Sequence, residues 1–473
     1  METSILTALI LVIGFYMAWT IGANDVSNAM GTSVGSGALT LRRAVILAGI
    51  LEFCGAYFVG ESVSETMERG LVNPEIFIDQ PLTLVLGMCG ALLGTSFWLQ
   101  LASYLRWPVS TTHAIVGAII GFGIVAGGFD AILWKEVTEI AISWVISPLI
   151  SAVISYTIFS VLQKKILYAM DPIEATRRAV PLFFFIVFMT FTLSLMTNGL
   201  QNLHLQISFA GVLGISFFVG LIAAGIAYLV MQKISLPARY IQPVGRDSPQ
   251  MVISLDKAIK HLQRVRVSSL DETHTKITAI LQDVKSLSRK LREETNFGHR
   301  ASEYQFVEKV FVYLQIISAC YVAFAHGAND VANAIGPVAA VLGILKNGYI
   351  TETSIVPAWL LALGGAGIVI GLATWGWRVM ETIGKKITEL TPTRGFCAEF
   401  GAATTILVAS KLGLPISTTH CLVGAVLGVG LARGISALNL DMLREIVLSW
   451  VVTIPASAGI SILCFYILKA IFT

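Results

Sequence analysis

The sequence predicts an all-α polytopic membrane protein built from two related halves of opposite orientation. Three observations predict it: a composition too apolar for a soluble core, about twelve apolar membrane segments, and two polar motifs that recur in the same order in both halves. Of 473 residues, 55% are hydrophobic and 13% charged, and the mean hydropathy is +0.77. Soluble chains carry about 25% charged residues, and a soluble core does not produce stretch after stretch of roughly 20 apolar residues, the length that matches the bilayer core.

The apolar segments run at 4–23, 44–60, 82–105, 109–128, 140–162, 181–200, 207–231, 307–326, 356–377, 397–413, 416–433 and 446–470. The first is expected to be a retained helix rather than a cleaved leader: Glu2 stands where a basic flank belongs, and the apolar run continues into the first motif. These segments divide the chain into a first transmembrane repeat (1–163), two linking helices (164–231), a polar insert (232–305) and a second, inverted repeat (306–473). The six cysteines are scattered singly, with no CxxC, which fits small buried packing residues.

The insert opens with Pro237, Pro243, Gly245 and Pro249. It continues with helical spacing at Leu255, Ile259, Leu262 and Val265, then at Ile277, Ile280, Leu281, Val284 and Leu287. From Lys233 to Glu303 there are 13 Lys and Arg against 8 Asp and Glu, within a chain of net charge +3. A basic excess confined to one loop marks a cytoplasmic segment. No aromatic stacking platform accompanies it, so nucleic acid is not an expected partner. With both termini outside, Arg42, Arg43, Lys164, Lys165, Arg177, Arg178, the insert, Lys385, Lys386, Arg394, Arg433 and Arg444 all fall inside. Arg106 and Arg378, near segment ends, are expected to snorkel.

The repeat is explicit. GANDVSNA at 22–29 returns as GANDVANA at 327–334, and PVSTTHAIVG at 108–117 returns as PISTTHCLVG at 415–424. Asp25 precedes His113 by 88 residues and Asp330 precedes His420 by 90. Seven segments precede the second copy, an odd number, so it enters the membrane from the other side, as in inverted-repeat transporters.

Asp25 and Asp330 are carboxylates at membrane depth, which is costly and marks function by default. Gly22, Gly31, Gly35, Gly37, Gly327, Gly336 and Pro337 around them permit an unwound helix with freed carbonyls. Asn24, Asn28, Asn329 and Asn333 add neutral oxygens. This set suits an alkali ion, with Na+ expected at Asp25, Asn28, Asp330 and Asn333; the alternative is that Asn and Asp cap a broken helix. Ser110, Thr111 and Thr112, like Ser417, Thr418 and Thr419, follow a proline and precede an apolar helix. They present hydroxyls and free N–H groups at a helix N-terminus, an anion site; the alternative is a plain N-cap. For these residues to reach the midplane, 82–128 and 397–433 must be re-entrant hairpins. His113 and His420 are expected to hydrogen-bond within them.

An anion beside Asp25 and Asp330 is repelled, and neither motif contains Lys or Arg. Cations must supply the missing charge, which predicts cotransport with Na+ or H+, the asparagine-rich ligation favouring Na+. Glu52 and Glu399 are further intramembrane carboxylates. The position matching Glu399 in the first half is Leu92, so the repeat is not perfect. No G-x-x-x-x-G-K-[ST], H-E-x-x-H or G-x-S-x-G occurs, so neither ATP drive within this chain nor an enzyme is expected, and no cofactor beyond the coupling ion.

Both motif pairs resemble the inorganic phosphate transporter (PiT) family; HGANDVANAIGP at 326–337 is the longest specific match, and Ser27 departs from the usual Ala. The resemblance covers 4–163 and 307–470. It implies import of inorganic phosphate with Na+ or H+ through an inverted-repeat core in a plasma (inner) membrane, commonly as a homodimer. It also implies roles for the residues matching Asp25, Asp330, Glu52, Glu399, Ser110 and Ser417. The competing readings are a sulfate permease, a passive anion channel and a membrane enzyme acting on a phosphorylated lipid.

Overall fold

The structure is a computed structural model. It describes residues 2–69, 71–105, 107–198, 207–234, 271–294, 297–350, 356–377, 390–434 and 440–473, with Leu438 and scattered positions between 255 and 266. Arg106, Arg378, Lys385, Lys386 and the linker prolines Pro237, Pro243 and Pro249 lie outside the described residues, as does most of the first expected helix of the insert.

In chain order the helices are α1 (Glu2–Gly35), α2 (Leu41–Val59), α3 (Glu61–Arg69), α4 (Pro81–Leu105), α5 (Thr111–Gly127), α6 (Trp134–Leu162), α7 (Pro172–Asn198) and α8 (Phe209–Lys233). They continue as α9 (Asp271–Glu294), α10 (Phe297–Asp330), α11 (Ala332–Asn347), α12 (Ala358–Thr374), α13 (Pro392–Lys411), α14 (Thr418–Arg433) and α15 (Leu440–Phe472). Among the described residues, seven helices are long and apolar enough to cross a membrane, or eight if α2 and α3, bent by 68°, form one span.

The expected count of about twelve membrane segments is therefore corrected to seven or eight. Two physical reasons account for the difference. Helices α5, α12 and α14 have only 17, 17 and 16 residues, short of the roughly 20 that a span needs. Helix α13 is long enough but carries Arg394, Glu399 and Lys411.

The chain divides into two compact units. The first comprises Met1–Phe159, Ile186–Gly220 and Phe311–Thr473, and contains both motif pairs. The second comprises Ser160–Phe185 and Leu221–Val310. In the second unit, the Tyr304 hydroxyl donates to the Leu167 carbonyl at 3.0 Å and Arg177 donates to the Ile234 carbonyl at 2.7 Å. Helix α9 buries Ile277 and Leu281 there, one turn apart, as its sequence spacing predicts.

In the first unit, helices are exchanged between the two halves. Gly22 of α1 lies against the backbone carbonyl of Ile368 in α12, and Gly327 of α10 lies against that of Glu52 in α2. A Cβ at either glycine would overlap the facing oxygen, so only glycine permits this approach. Each motif helix thus rests on a helix from the other half, and Ile368 occupies the position equivalent to Glu52. The hairpins follow the same rule: Gly117 of α5 packs on Ile454 of α15, and Gly424 of α14 on Pro148 of α6.

The expected unwinding appears in neither copy. Helix α1 runs unbroken through Asp25 to Gly35, and Val331, between α10 and α11, keeps right-handed helical angles (φ −57°, ψ −32°), so the second copy continues as one apolar helix from Glu303 to Asn347. Freed carbonyls are therefore not part of either motif.

Candidate functional site

The turns 107–110 and 412–417 are the tips of the hairpins α4–α5 and α13–α14, and they meet inside the first unit. The Thr112 hydroxyl donates to the carbonyl of Ile416 at 2.9 Å, and the Thr419 hydroxyl to that of Val109 at 3.3 Å. Ser110 and Ser417 cap their helices: each hydroxyl oxygen accepts the backbone N–H three residues on, at 3.3 and 3.2 Å. This is the ordinary N-cap geometry. Next to the caps, the His113 and His420 rings lie 4.4 Å apart and pack against Trp144 and Trp450. His420 Nδ1 lies 3.1 Å from the Trp144 carbonyl.

The motif helices meet these tips. Thr111 donates to Asp25 Oδ2, and Thr418 to Asp330 Oδ2 at 2.8 Å. Asn28 Nδ2 donates to Asp25 Oδ1 at 3.1 Å and crosses to Thr419 at 2.8 Å; Asn333 Nδ2 crosses to Thr112 at 3.4 Å. Asn24 and Asn329 hold the hairpins by equivalent bonds, to Ser103 at 3.0 Å and to Ser410 at 3.1 Å. The expected cation-binding and anion-binding groups thus form one cluster, in which every Asp, Asn and Thr is buried.

One imidazole enters it. His326 Nε2 lies 3.0 Å from Asp330 Oδ2, one helical turn away, and Nδ1 lies 3.2 Å from Glu52 Oε1. Ligand atoms of Asp25, His326 and Asp330 all lie within 4.8 Å of one another. Three carboxylates therefore surround one histidine, fully removed from solvent. Among the described residues, His326 is the sole ion-pair partner of Glu52 and Asp330, and Asp25 has none. Burying unbalanced carboxylates is strongly unfavourable. Further acceptors are unused: the Oδ1 atoms of Asn24, Asn28, Asn329, Asp330 and Asn333 have no hydrogen-bond partner among the described residues. Oxygen acceptors in excess of donors fit a hard cation.

Glu399 stands apart from this cluster. Its Oε1 accepts from Thr32 at 2.5 Å, Ser33 at 2.6 Å and Gln315 at 3.3 Å, and its Oε2 from Ser318 at 2.5 Å. It joins α1, α10 and α13 through three hydroxyls and one amide, all outside both motifs.

The profile of a family described as the phosphate transporter family matches residues 21–461. The chloroplastic inorganic phosphate transporter 2-1 of Arabidopsis thaliana is 42% identical, over 100% of this chain and 73% of that protein. A solved structure named the sodium-dependent phosphate transporter superposes with a TM-score of 0.75 at 36% identity, covering 99% of this chain and 100% of that one.

The chain belongs to the phosphate transporter family.

It is thus an integral membrane protein of a transport family rather than an enzyme family. In this member of the phosphate transporter family, Asp25, Asn28, Asp330, Asn333 and the four motif threonines come together, with Glu52 linked to them through His326. Glu399 does not join them. Sequence reasoning missed His326, although a signal was present: histidine stands four residues before Asp330, where the first copy has Ile21. It also missed the partners of Glu399, because Thr32, Ser33, Gln315 and Ser318 belong to no motif.

Proposed function

We propose that this chain imports inorganic phosphate by cation symport, with Na+ favoured over H+, through alternating access at the buried cluster. The observation that carries this reading is the convergence of two aspartates, each bonded to a threonine of a hairpin tip, with orphaned asparagine oxygens around them. Without cations the cluster repels an anion. With Na+ at Asp25, Asn28, Asp330 and Asn333, its field becomes attractive. Ser110 and Ser417, whose hydroxyls only accept in their caps, and the N–H groups of the two tips then donate to phosphate, and Thr111, Thr112, Thr418 and Thr419 join them by exchanging their present acceptors for it. Cation binding therefore precedes anion binding, and the two are released together.

Glu52 and Glu399 belong to coupling in this scheme, the first through His326 and the second as a hydroxyl-bonded tie between helices. The two hairpins are re-entrant, both termini lie outside, and 232–305 is cytoplasmic, in a plasma (inner) membrane. Residues 1–163 and 306–473 act as inverted repeats joined by 164–231, in a homodimer. The solved relative's name, a sodium-dependent phosphate transporter, supports the choice of ion.

The test is radiolabelled phosphate uptake into proteoliposomes, in Na+ or choline buffer at fixed pH. Uptake that requires Na+ and accumulates phosphate against its gradient supports the reading. Uptake unchanged in choline that follows a pH step overturns Na+ coupling, equal competition by sulfate overturns phosphate selectivity, and mere equilibration of phosphate overturns symport.

A further inference from the structure

Helices α2 and α12 leave an apolar groove of about 570 Å³ along their seam, lined by Ile46, Ile50 and Phe53 on one side and Val369, Ile370 and Ala373 on the other. Its lining carries no charged side chain. Ile46, Ile50 and Ile370 are 54%, 55% and 45% exposed, so the groove opens outward.

The helices run antiparallel along it: Gly49 faces Val369, and Phe53 faces Gly365. The start of α2 therefore lies beside the end of α12. Arg42 and Arg43, both exposed, stand at that start. They are three and four residues before Ile46, on the stripe that continues through Gly49, Ile50 and Phe53. No ion pair with a described residue engages either guanidinium. Just past α12, Trp377 is 43% exposed. Exposed Trp and Arg at one end of an apolar face mark the level of the headgroups.

From Arg42 to Phe53 the helix rises about 16 Å, roughly half of a 30 Å hydrocarbon core. The groove thus extends from headgroup level to about the midplane, the depth of one leaflet.

We infer that this seam is a binding site for an anionic phospholipid, whose acyl chain fills the groove and whose headgroup phosphate pairs with Arg42 and Arg43. A second copy of the chain fits less well. Two-fold pairing across this face would bring the arginines of the two copies to the same height and set like charges together. The site is also connected to the transport machinery. Helix α2 carries Glu52, whose carbonyl supports Gly327, and α12 carries Ile368, whose carbonyl supports Gly22. A lipid wedged in the seam braces the two surfaces on which both motif helices rest.

The test is native mass spectrometry of the full-length protein, released from micelles doped with phosphatidylglycerol or phosphatidylcholine. Wild type should retain phosphatidylglycerol preferentially. The double variant R42Q/R43Q should lose up to about thirtyfold in that preference, since each basic residue near an anionic headgroup contributes roughly a factor of five. Ala373→Phe, which fills the groove from its exposed side, should reduce retention of both lipids. Equal retention of the two lipids by wild type overturns the proposal, as does a preference that survives R42Q/R43Q or undiminished retention in Ala373→Phe. Efficient disulfide cross-linking of Ile50→Cys between copies in the membrane overturns it in favour of a second copy.

Discussion

Asp25→Asn removes one charge from the buried cluster while keeping its size. A cation between the Asp25 and Asp330 carboxylates, whose nearest ligand atoms lie within 4.8 Å of one another, is no farther than about that distance from either. At an effective dielectric of about 20, one unit charge at that separation is worth about 3 kcal/mol, equivalent to roughly a hundredfold change in cation affinity. Transport is a poor readout, because a variant that does not move phosphate has no measurable Na+ dependence. Stability gives a direct one. A ligand at about 100 times its Kd stabilises the folded state by about 2.7 kcal/mol, and at its Kd by only about 0.4 kcal/mol. The rise in Tm of the purified protein between choline and Na+ buffers should therefore largely disappear in Asp25→Asn. The Tm in choline should not fall, because the variant also relieves repulsion with Asp330. An unchanged Na+-dependent rise would refute a cation site at Asp25.

Three further outcomes are expected. His326→Leu leaves Glu52 and Asp330 without their shared partner and should destabilise by about 3–5 kcal/mol; combining it with Glu52→Gln should cost less than the sum of the two, measured as Tm in a double-mutant cycle. Ser110→Ala and Ser417→Ala each remove an N-cap and should cost about 1 kcal/mol, equally in both halves, and should in addition raise the KM for phosphate, which a cap alone would leave unchanged. Glu399→Leu removes the acceptor of four hydrogen bonds and should speed amide exchange around Thr32 and Ser33 in mass-spectrometric hydrogen exchange, while exchange at Val338 and Ala339, in the other half, stays little altered.

How much of this was legible in the sequence varied with the kind of signal. The repeat was legible because its motifs are polar strings in apolar surroundings. The meeting of Asp25 with Thr111, and of Asp330 with Thr418, followed from pairing the motifs within each half. The span count was not legible, because hydropathy cannot separate a 17-residue buried helix such as α5 from a spanning one. The unbroken α1 was missed because glycine permits unwinding without requiring it: Gly22 is needed for its approach to Ile368, not for a bend. The cage of Glu399 was invisible because its donors come from positions 32, 33, 315 and 318, and no local pattern distinguishes those side chains from others that bond their own helix. The shared aspartate–histidine–glutamate contact was half legible: His326 lies one turn before Asp330, but Glu52 reaches it only through the exchanged packing of α2 and α10.

That exchange bears on how the chain is made. Asn28 and Thr419 are 391 residues apart, and the surface beneath Gly22 belongs to a helix synthesised long after α1 has left the ribosome. During translation, therefore, Asp25 enters the membrane without its crossing partners from the second half. The first half must wait, with Asp25 held only by its own hairpin, until the second arrives in the opposite orientation. Assembly is necessarily late, and a chain stalled after α8 should be a substrate for membrane quality control rather than a folded half.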